Sequence, residues 1–143
     1  MNNRGSSDMY YKGANMLHTL RQLIEDDEKW RQILRGINSE FYHQTVTTKQ
    51  IEDYISQQTG INLTAFFNQY LRDVRIPTFE FKIKNGELIY RYTNIVEAFD
   101  MPIQIETSDE TQWIFPKSEW QTVPFSGTEL KVNRDFYVMS KRL

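Results

Sequence analysis

The hydrophobic period of this chain changes once, at Pro77, from helical before it to alternating after it. A helical period and a period of two cannot share one element, so the chain must join a helical part to a β part. Up to about residue 76, apolar residues recur at i, i+3, i+4 and i+7. The spacing predicts a first helix over Met9 to Ile24, capped by Ser7 or Asp8, with Gly13, Met16, Leu17, Leu20, Leu23 and Ile24 on one face. A second helix follows Asp26, Asp27 and Glu28, whose charge suits the positive end of a helix dipole. Its stripe is Trp30, Ile33, Leu34, Ile37 and Phe41. A third begins at the capping box Thr47-x-x-Gln50, presents Ile51, Tyr54 and Ile55, and ends near Gly60. The fourth is capped by Asn62 and shows Leu63, Phe66, Phe67, Tyr70 and Leu71. Short amphipathic helices with brief connections make an antiparallel helical cluster.

After Pro77, Phe79, Phe81 and Ile83 alternate with Glu80, Lys82 and Lys84, then Asn85-Gly86 leads into alternating Leu88, Tyr90 and Tyr92. Asn-Gly suits a two-residue type I′ turn, because both positions need positive φ. That turn pairs Phe81 with Tyr90 and Ile83 with Leu88 on one face, and sets Glu80 opposite Arg91 and Lys84 opposite Glu87. Further strands are predicted over Ile103–Glu106, Gln112–Phe115, Gln121–Phe125, Leu130–Asn133 and Phe136–Met139. Turn residues separate them at Asp100 to Pro102, Ser108 to Glu110, Ser126-Gly127 and Asn133 to Asp135. Short strands at this spacing predict a small antiparallel β-sandwich over 77–143, following a helical unit over 1–76, in an α+β fold. A β unit of about 65 residues is marginal alone and is expected to dock on the helices.

Composition narrows the function classes. The chain has 143 residues, 39% hydrophobic and 14% aromatic, which is globular rather than disordered composition. Its formal net charge is -2, shared evenly along the chain, which argues against a general nucleic-acid partner. No run approaches the ~20 apolar residues of a membrane span, and residues 1–8 hold no apolar stretch like a signal peptide. The residues before Asp8 read as a flexible lead-in. With no cysteine, disulfides, thiolate metal sites and cysteine nucleophiles are excluded.

Spacing alone places no chemistry. The histidines, His18 and His43, lack a second histidine three or four residues away, and both read as surface or hydrogen-bonded side chains. There is no G-x-S-x-G and no glycine-rich phosphate loop. Asp26, Asp27 and Glu28 read as helix-start charge rather than a paired acid and base. The groups Tyr10-Tyr11, Phe66-Phe67 and Trp113 to Phe115 read as core.

The segment Tyr10-Tyr11-Lys12-Gly13-Ala14-Asn15-Met16-Leu17, with Leu20-Arg21, resembles the Y-x-K-G-A-x-x-L…L-R segment of one family. That family is the zinc aminopeptidases of the aminopeptidase N type, which are gluzincin metallopeptidases. Asp26-Asp27 before Trp30 and Leu34, then Phe41, Thr47-Thr48-x-x-Ile51-x-x-Tyr54 and Gly60-x-x-Leu63-x-x-Phe66-Phe67-x-x-Tyr70-Leu71 continue the likeness to Pro77. In that family this is the C-terminal helical part of the thermolysin-like catalytic domain, and a small β-sandwich follows. The likeness is specific over residues 1–77 and architectural over the rest.

The resemblance implies a catalytic role for Tyr10, which matches the tyrosine opening Y-x-K-G. In the family that phenol donates to the oxyanion formed when a zinc-bound water attacks the scissile carbonyl. A phenol is a neutral donor at neutral pH, and a preorganised oxyanion donor is worth roughly 3–4 kcal/mol of barrier. Tyr11 reads as packing or surface, and Lys12 and Gly13 as shaping the turn and allowing close helix approach. The family's H-E-x-x-H, its third zinc ligand and its G-x-M-E-N amine-binding segment all lie upstream of Y-x-K-G and have no counterpart here. A catalytic zinc needs three protein ligands and an open position.

The chain is therefore expected to be the tail of a longer zinc-dependent aminopeptidase, inactive alone, with no metal or cofactor of its own and zinc in the parent. Its partners are then the missing N-terminal part of the catalytic domain and, in the parent, a peptide substrate. An exposed apolar patch is expected where that part packs, with Trp113, Phe115 and Trp120 as candidates, although at least two of them are expected in the sandwich core. The rival expectation is a free-standing, non-catalytic interaction module, a pseudo-enzyme remnant that uses its sheet edge or aromatic helix face.

Overall fold

A computed structural model describes residues 8–108 and 110–143. The lead-in before Asp8, the cap expected from Ser7 or Asp8, and the centre of the turn expected from Ser108 to Glu110 lie outside the described residues and side chains. The helices are α1 (Asp8–Ile24), α2 (Asp27–Glu40), α3 (Thr48–Thr59) and α4 (Thr64–Phe67), the last running on as a π-turn over Asn68–Arg72.

Local chemistry explains most of the boundaries. Asp26 accepts the amide of Lys29 at 2.9 Å and starts α2, with Asp27 and Glu28 in the first turn. The capping box of α3 is complete: Thr47 Oγ1 accepts the Gln50 amide at 3.3 Å, and Gln50 Oε1 accepts the Thr47 amide at 2.8 Å. Gly60 closes that helix at φ 74°, in the left-handed region. The cap of α4 differs from expectation. Leu63 holds the boundary position, and Asn62 Oδ1 instead accepts the Thr64 amide at 3.1 Å in a local turn.

The π-turn also changes which residues face inward. Leu63, Phe66, Phe67 and Tyr70 are buried as expected, but Leu71 turns outward and Gln69 turns in, fully buried. A wider turn shifts the phase of the stripe at that point. Leu17 and Leu34, expected on apolar faces, are also exposed.

The described strands are β1 (Thr78–Lys84), β2 (Glu87–Thr93), β3 (Ile103–Glu106), β4 (Thr111–Ile114), β5 (Gln121–Pro124), β6 (Lys131–Val132) and β7 (Met139–Arg142). They form one sheet in the order β5-β2-β1-β7 and another in the order β4-β3-β6. The hairpin register agrees with the sequence at each expected pair, and Asn85 and Gly86 take φ 55° and 78°. All pairs are antiparallel except β1 with β7, which is parallel. The last strand also lies later than expected, at Met139–Arg142 rather than Phe136–Met139. Phe136 belongs to the core, and the Tyr137 amide donates to Thr19 Oγ1 at 2.9 Å, so this stretch spends its backbone on α1.

Helices and sheets share one buried cluster, in which Leu20 of α1, Phe79 of β1, Leu88 of β2 and Ile103 and Ile105 of β3 lose all exposure. Aromatic edges carry it through the middle: Tyr70 meets Phe99 at 6.1 Å between ring centroids, and Phe99 meets Tyr92 at 5.4 Å. Two of the buried tyrosines place their hydroxyls on backbone, Tyr70 on the Tyr137 carbonyl at 2.8 Å and Tyr92 on the Met101 carbonyl at 3.0 Å. Burial raises both above the ordinary tyrosine range, so neither ionises near neutrality. The expected docking of the β part on the helices is visible in the contacts of α1. Besides Thr19, Glu25 at its end accepts the Trp113 indole N–H at 3.3 Å.

Glu80 carries the pH response of the hairpin. It is 9% exposed, and Arg91 donates to it through Nε and Nη2 at 3.1 and 2.9 Å. Those hydrogen bonds hold its carboxyl below the usual glutamate value against its partial desolvation, with help from Lys141. A carboxyl whose pKa is lowered by folding stabilises the fold above its unfolded value and loses that contribution as pH falls through the folded value. Urea unfolding between about pH 3 and pH 7 should therefore show a steeper acid loss in wild type than in Glu80→Gln. Parallel curves would remove Glu80 from the acid response.

Candidate functional site

Tyr10 stands in the first turns of α1 with 70% of its surface exposed, and Tyr11 beside it is equally open. The expectation that this pair belongs to a core does not hold. The Tyr10 hydroxyl makes no hydrogen bond with another described residue. It is a phenol held by a helix and free at its tip.

The segment after the π-turn fixes the start of that helix. Lys12 Nζ donates to the backbone carbonyl of Asp73, sixty-one residues away in sequence. Asp73 is itself clamped by Arg75, whose Nε and Nη2 approach its carboxylate at 2.9 and 2.7 Å. The guanidinium and backbone amide of Arg75 pull the Asp73 carboxyl down to about 2. A shallow groove of about 460 Å³ lies between α1 and this segment, lined by Lys12, Gly13, Tyr70, Leu71 and Val74 among others. Leu71 and Val74 are exposed there, Val74 to 93%. Lys12 lies inside α1 rather than at a turn, and its side chain reaches the Asp73 carbonyl instead. Gly13 does not serve close approach, since a Cβ at its position would meet nothing within 4 Å.

The histidines are kept apart by the fold. His18 Nε2 lies 3.0 Å from Asp135 Oδ1 on the surface of α1. His43, at φ 53° in the loop after α2, packs edge-on against Tyr42. Among the described residues no three of His, Cys, Asp and Glu gather closely enough to hold a metal ion.

The tryptophan expectation is corrected. Trp113 is half-buried, edge-on to Phe136 at 5.5 Å, but Phe115 and Trp120 are exposed. Trp120 lies under the Arg91 guanidinium, 4.4 Å from its ring centroid, so a cation–π contact holds it rather than a core. At most one of the three is a core residue. The residue that reading by pattern missed is Gln69, a polar side chain in an apolar stripe that nothing in the spacing marks for burial.

No family model matches this chain, and no curated protein does. Among solved structures it is similar to Legionella pneumophila aminopeptidase A in complex with aspartic acid, with a TM-score of 0.68 and 16% identity. The match covers 95% of this chain and 18% of that one, so this chain spans under a fifth of that protein's length. The likeness at this identity is one of fold, and the fold is aminopeptidase-like.

Proposed function

We propose that this chain is a part of a zinc-dependent aminopeptidase: residues 1–76 form the helical end of its catalytic domain and 77–143 the β-sandwich that follows. One observation carries the reading. The chain has the fold of a small share of an aminopeptidase, and an exposed phenol with no hydrogen bond among the described residues opens the segment that resembles the family's Y-x-K-G. Tyr10 then donates its hydroxyl hydrogen to the oxygen of the scissile carbonyl as negative charge develops there. Helix α1 and the Lys12–Asp73 contact hold that donor in place, and preorganisation of this kind is what makes a single hydrogen bond catalytic. The metal and the general base come from the upstream part of the parent. That part covers Tyr10, Tyr11, Leu71 and Val74, which explains four exposed apolar or aromatic side chains near one helix end.

A second reading has support of its own. Among the described residues no buried side-chain nitrogen or oxygen lacks a hydrogen-bond partner. The described interior meets its own side-chain polar groups, as the interior of a free-standing interaction module must.

Two measurements separate them. The purified 143-residue protein, stripped with chelator and resupplied with zinc, is expected to leave aminoacyl nitroanilides uncleaved and to retain no stoichiometric metal. Hydrolysis by the stripped protein would sink the proposal that it is inactive alone. Mass spectrometry of the native product captured from its source cells is expected to show a chain several times larger that carries an H-E-x-x-H peptide. A native product of this size alone would leave the interaction module.

A further inference from the structure

The edges of the four-stranded sheet differ in character. At one, β5 ends in Pro124, which has no N–H to offer a new strand. At the other, every residue of β7 is exposed. The Met139 amide donates to the Pro77 carbonyl and the Leu143 amide to the Phe81 carbonyl, both at 2.9 Å. Backbone groups alternate sides along a strand, so those of Ser140 and Arg142 face away from β1, toward no strand of the described residues.

A groove of about 630 Å³ opens beside this edge, where the two sheets part between β6 and β7. Phe81, Leu130, Val132, Phe136 and Val138 give it apolar lining, and Ser140 and Arg142 border it. Lys131, Arg134 and Arg142 add exposed cations, none of them ion-paired with a described residue. The acids at the groove are Glu129 and Asp135, and Asp135 is engaged by His18. This cationic border runs against the net charge of -2 on the chain as a whole.

We propose that the free edge of β7 and this groove bind an extended peptide of net negative charge with apolar side chains at alternate positions, taken up as an added strand. Ser140 and Arg142 supply the backbone hydrogen bonds, which any sequence can use. Selectivity comes from the apolar groove, which accepts every second side chain, and from Arg134, Arg142 and Lys131 at its border, whose charge attracts an acidic peptide and repels a basic one. The charge pattern excludes a basic segment and disfavours a second copy of β7, which would bring Lys141 and Arg142 of each copy into one short ladder.

The test uses the intact 143-residue protein and a fluorescein-labelled octapeptide of alternating glutamate and valine, followed by anisotropy. Saturable binding is expected, weakened by salt, and reduced at least about tenfold when lysine replaces glutamate in the peptide. N-methylation of the two central peptide amides should abolish it on the unaltered protein, because adjacent amides alternate sides and one of the two must donate to β7. The exposed substitutions Arg134→Glu and Arg142→Glu together should cost about tenfold or more, with an unchanged unfolding curve. Amide shifts on binding should concentrate between residues 129 and 143. No binding, equal binding of the lysine peptide, indifference to N-methylation, or shifts elsewhere would overturn the proposal. So would sedimentation showing a dimer of the unaltered protein whose amide shifts on dilution concentrate in β7, since the occupant would then be a second copy.

Discussion

Replacing Tyr10 by phenylalanine in the full-length parent is expected to lower kcat by about two to three powers of ten, with KM nearly unchanged. The substitution removes one oxygen and keeps the ring, so binding of a ground-state peptide loses little. The loss falls on the step in which the carbonyl oxygen becomes an anion, where a single preorganised donor is worth roughly 3–4 kcal/mol. The same substitution in the 143-residue chain is expected to change stability by less than about 0.5 kcal/mol, because the side chain is 70% exposed. The two readouts belong together: initial rates across substrate concentration for the parent, urea unfolding for the chain. An unchanged kcat would remove Tyr10 from the chemistry. A stability loss above about 1 kcal/mol would make it a packing residue instead.

The contrast between Tyr10 and the core shows which parts of this molecule are legible in its sequence. The hairpin was legible to the single residue, because Asn85-Gly86 fixes the turn type and a turn type fixes the register of everything beyond it. The third helix was legible at both ends for the same kind of reason, a capping box at Thr47 and a left-handed glycine at position 60. The last strand was misplaced by three residues because its start depends on a tertiary event. Thr19 takes the amide of Tyr137, and the pairing with β1 begins beyond it, where the Met139 amide donates to the Pro77 carbonyl. The parallel pairing of β7 likewise follows from where distant backbone is free, which no local pattern encodes. The role proposed for Tyr10 rests on a motif alone. Composition and spacing placed that residue in a core, and its exposure contradicts them. Trp120 shows the converse, an aromatic on a strand-rich segment that is held outside by Arg91 and Lys82.

Gln69 is the residue whose loss should cost the fold most for its size. Its Nε2 donates to the carbonyls of Arg75 at 2.9 Å and Asn94 at 3.3 Å, and its Oε1 accepts the amide of Val96 at 2.7 Å. One buried carboxamide thus ties the π-turn to the link that leads into β1 and to the turn that leaves β2. Gln69→Leu is close in volume, yet it leaves one amide and two carbonyls, all at part-buried hydrogen bonds, without their partner, and an unmet group costs up to about 1–3 kcal/mol. The expected loss is about 3–5 kcal/mol in urea unfolding at neutral pH, more than most single methylene deletions in the core produce. Gln69→Glu separates hydrogen bonding from shape. Ionised, it keeps an acceptor for Val96 but turns negative charge toward two carbonyls. Protonated, it recovers one donor. Burial and those carbonyls raise its folded pKa, so its contribution is present at low pH and lost as pH rises, opposite in sign to Glu80. Unfolding of Gln69→Glu at about pH 4.5 and about pH 7.5 should therefore show a gain in relative stability on acidification, where wild type loses. A Gln69→Leu variant that lost less than about 1 kcal/mol would mean that water enters and bonds the three backbone groups, and that the joint between helices and sheet is looser than its packing implies.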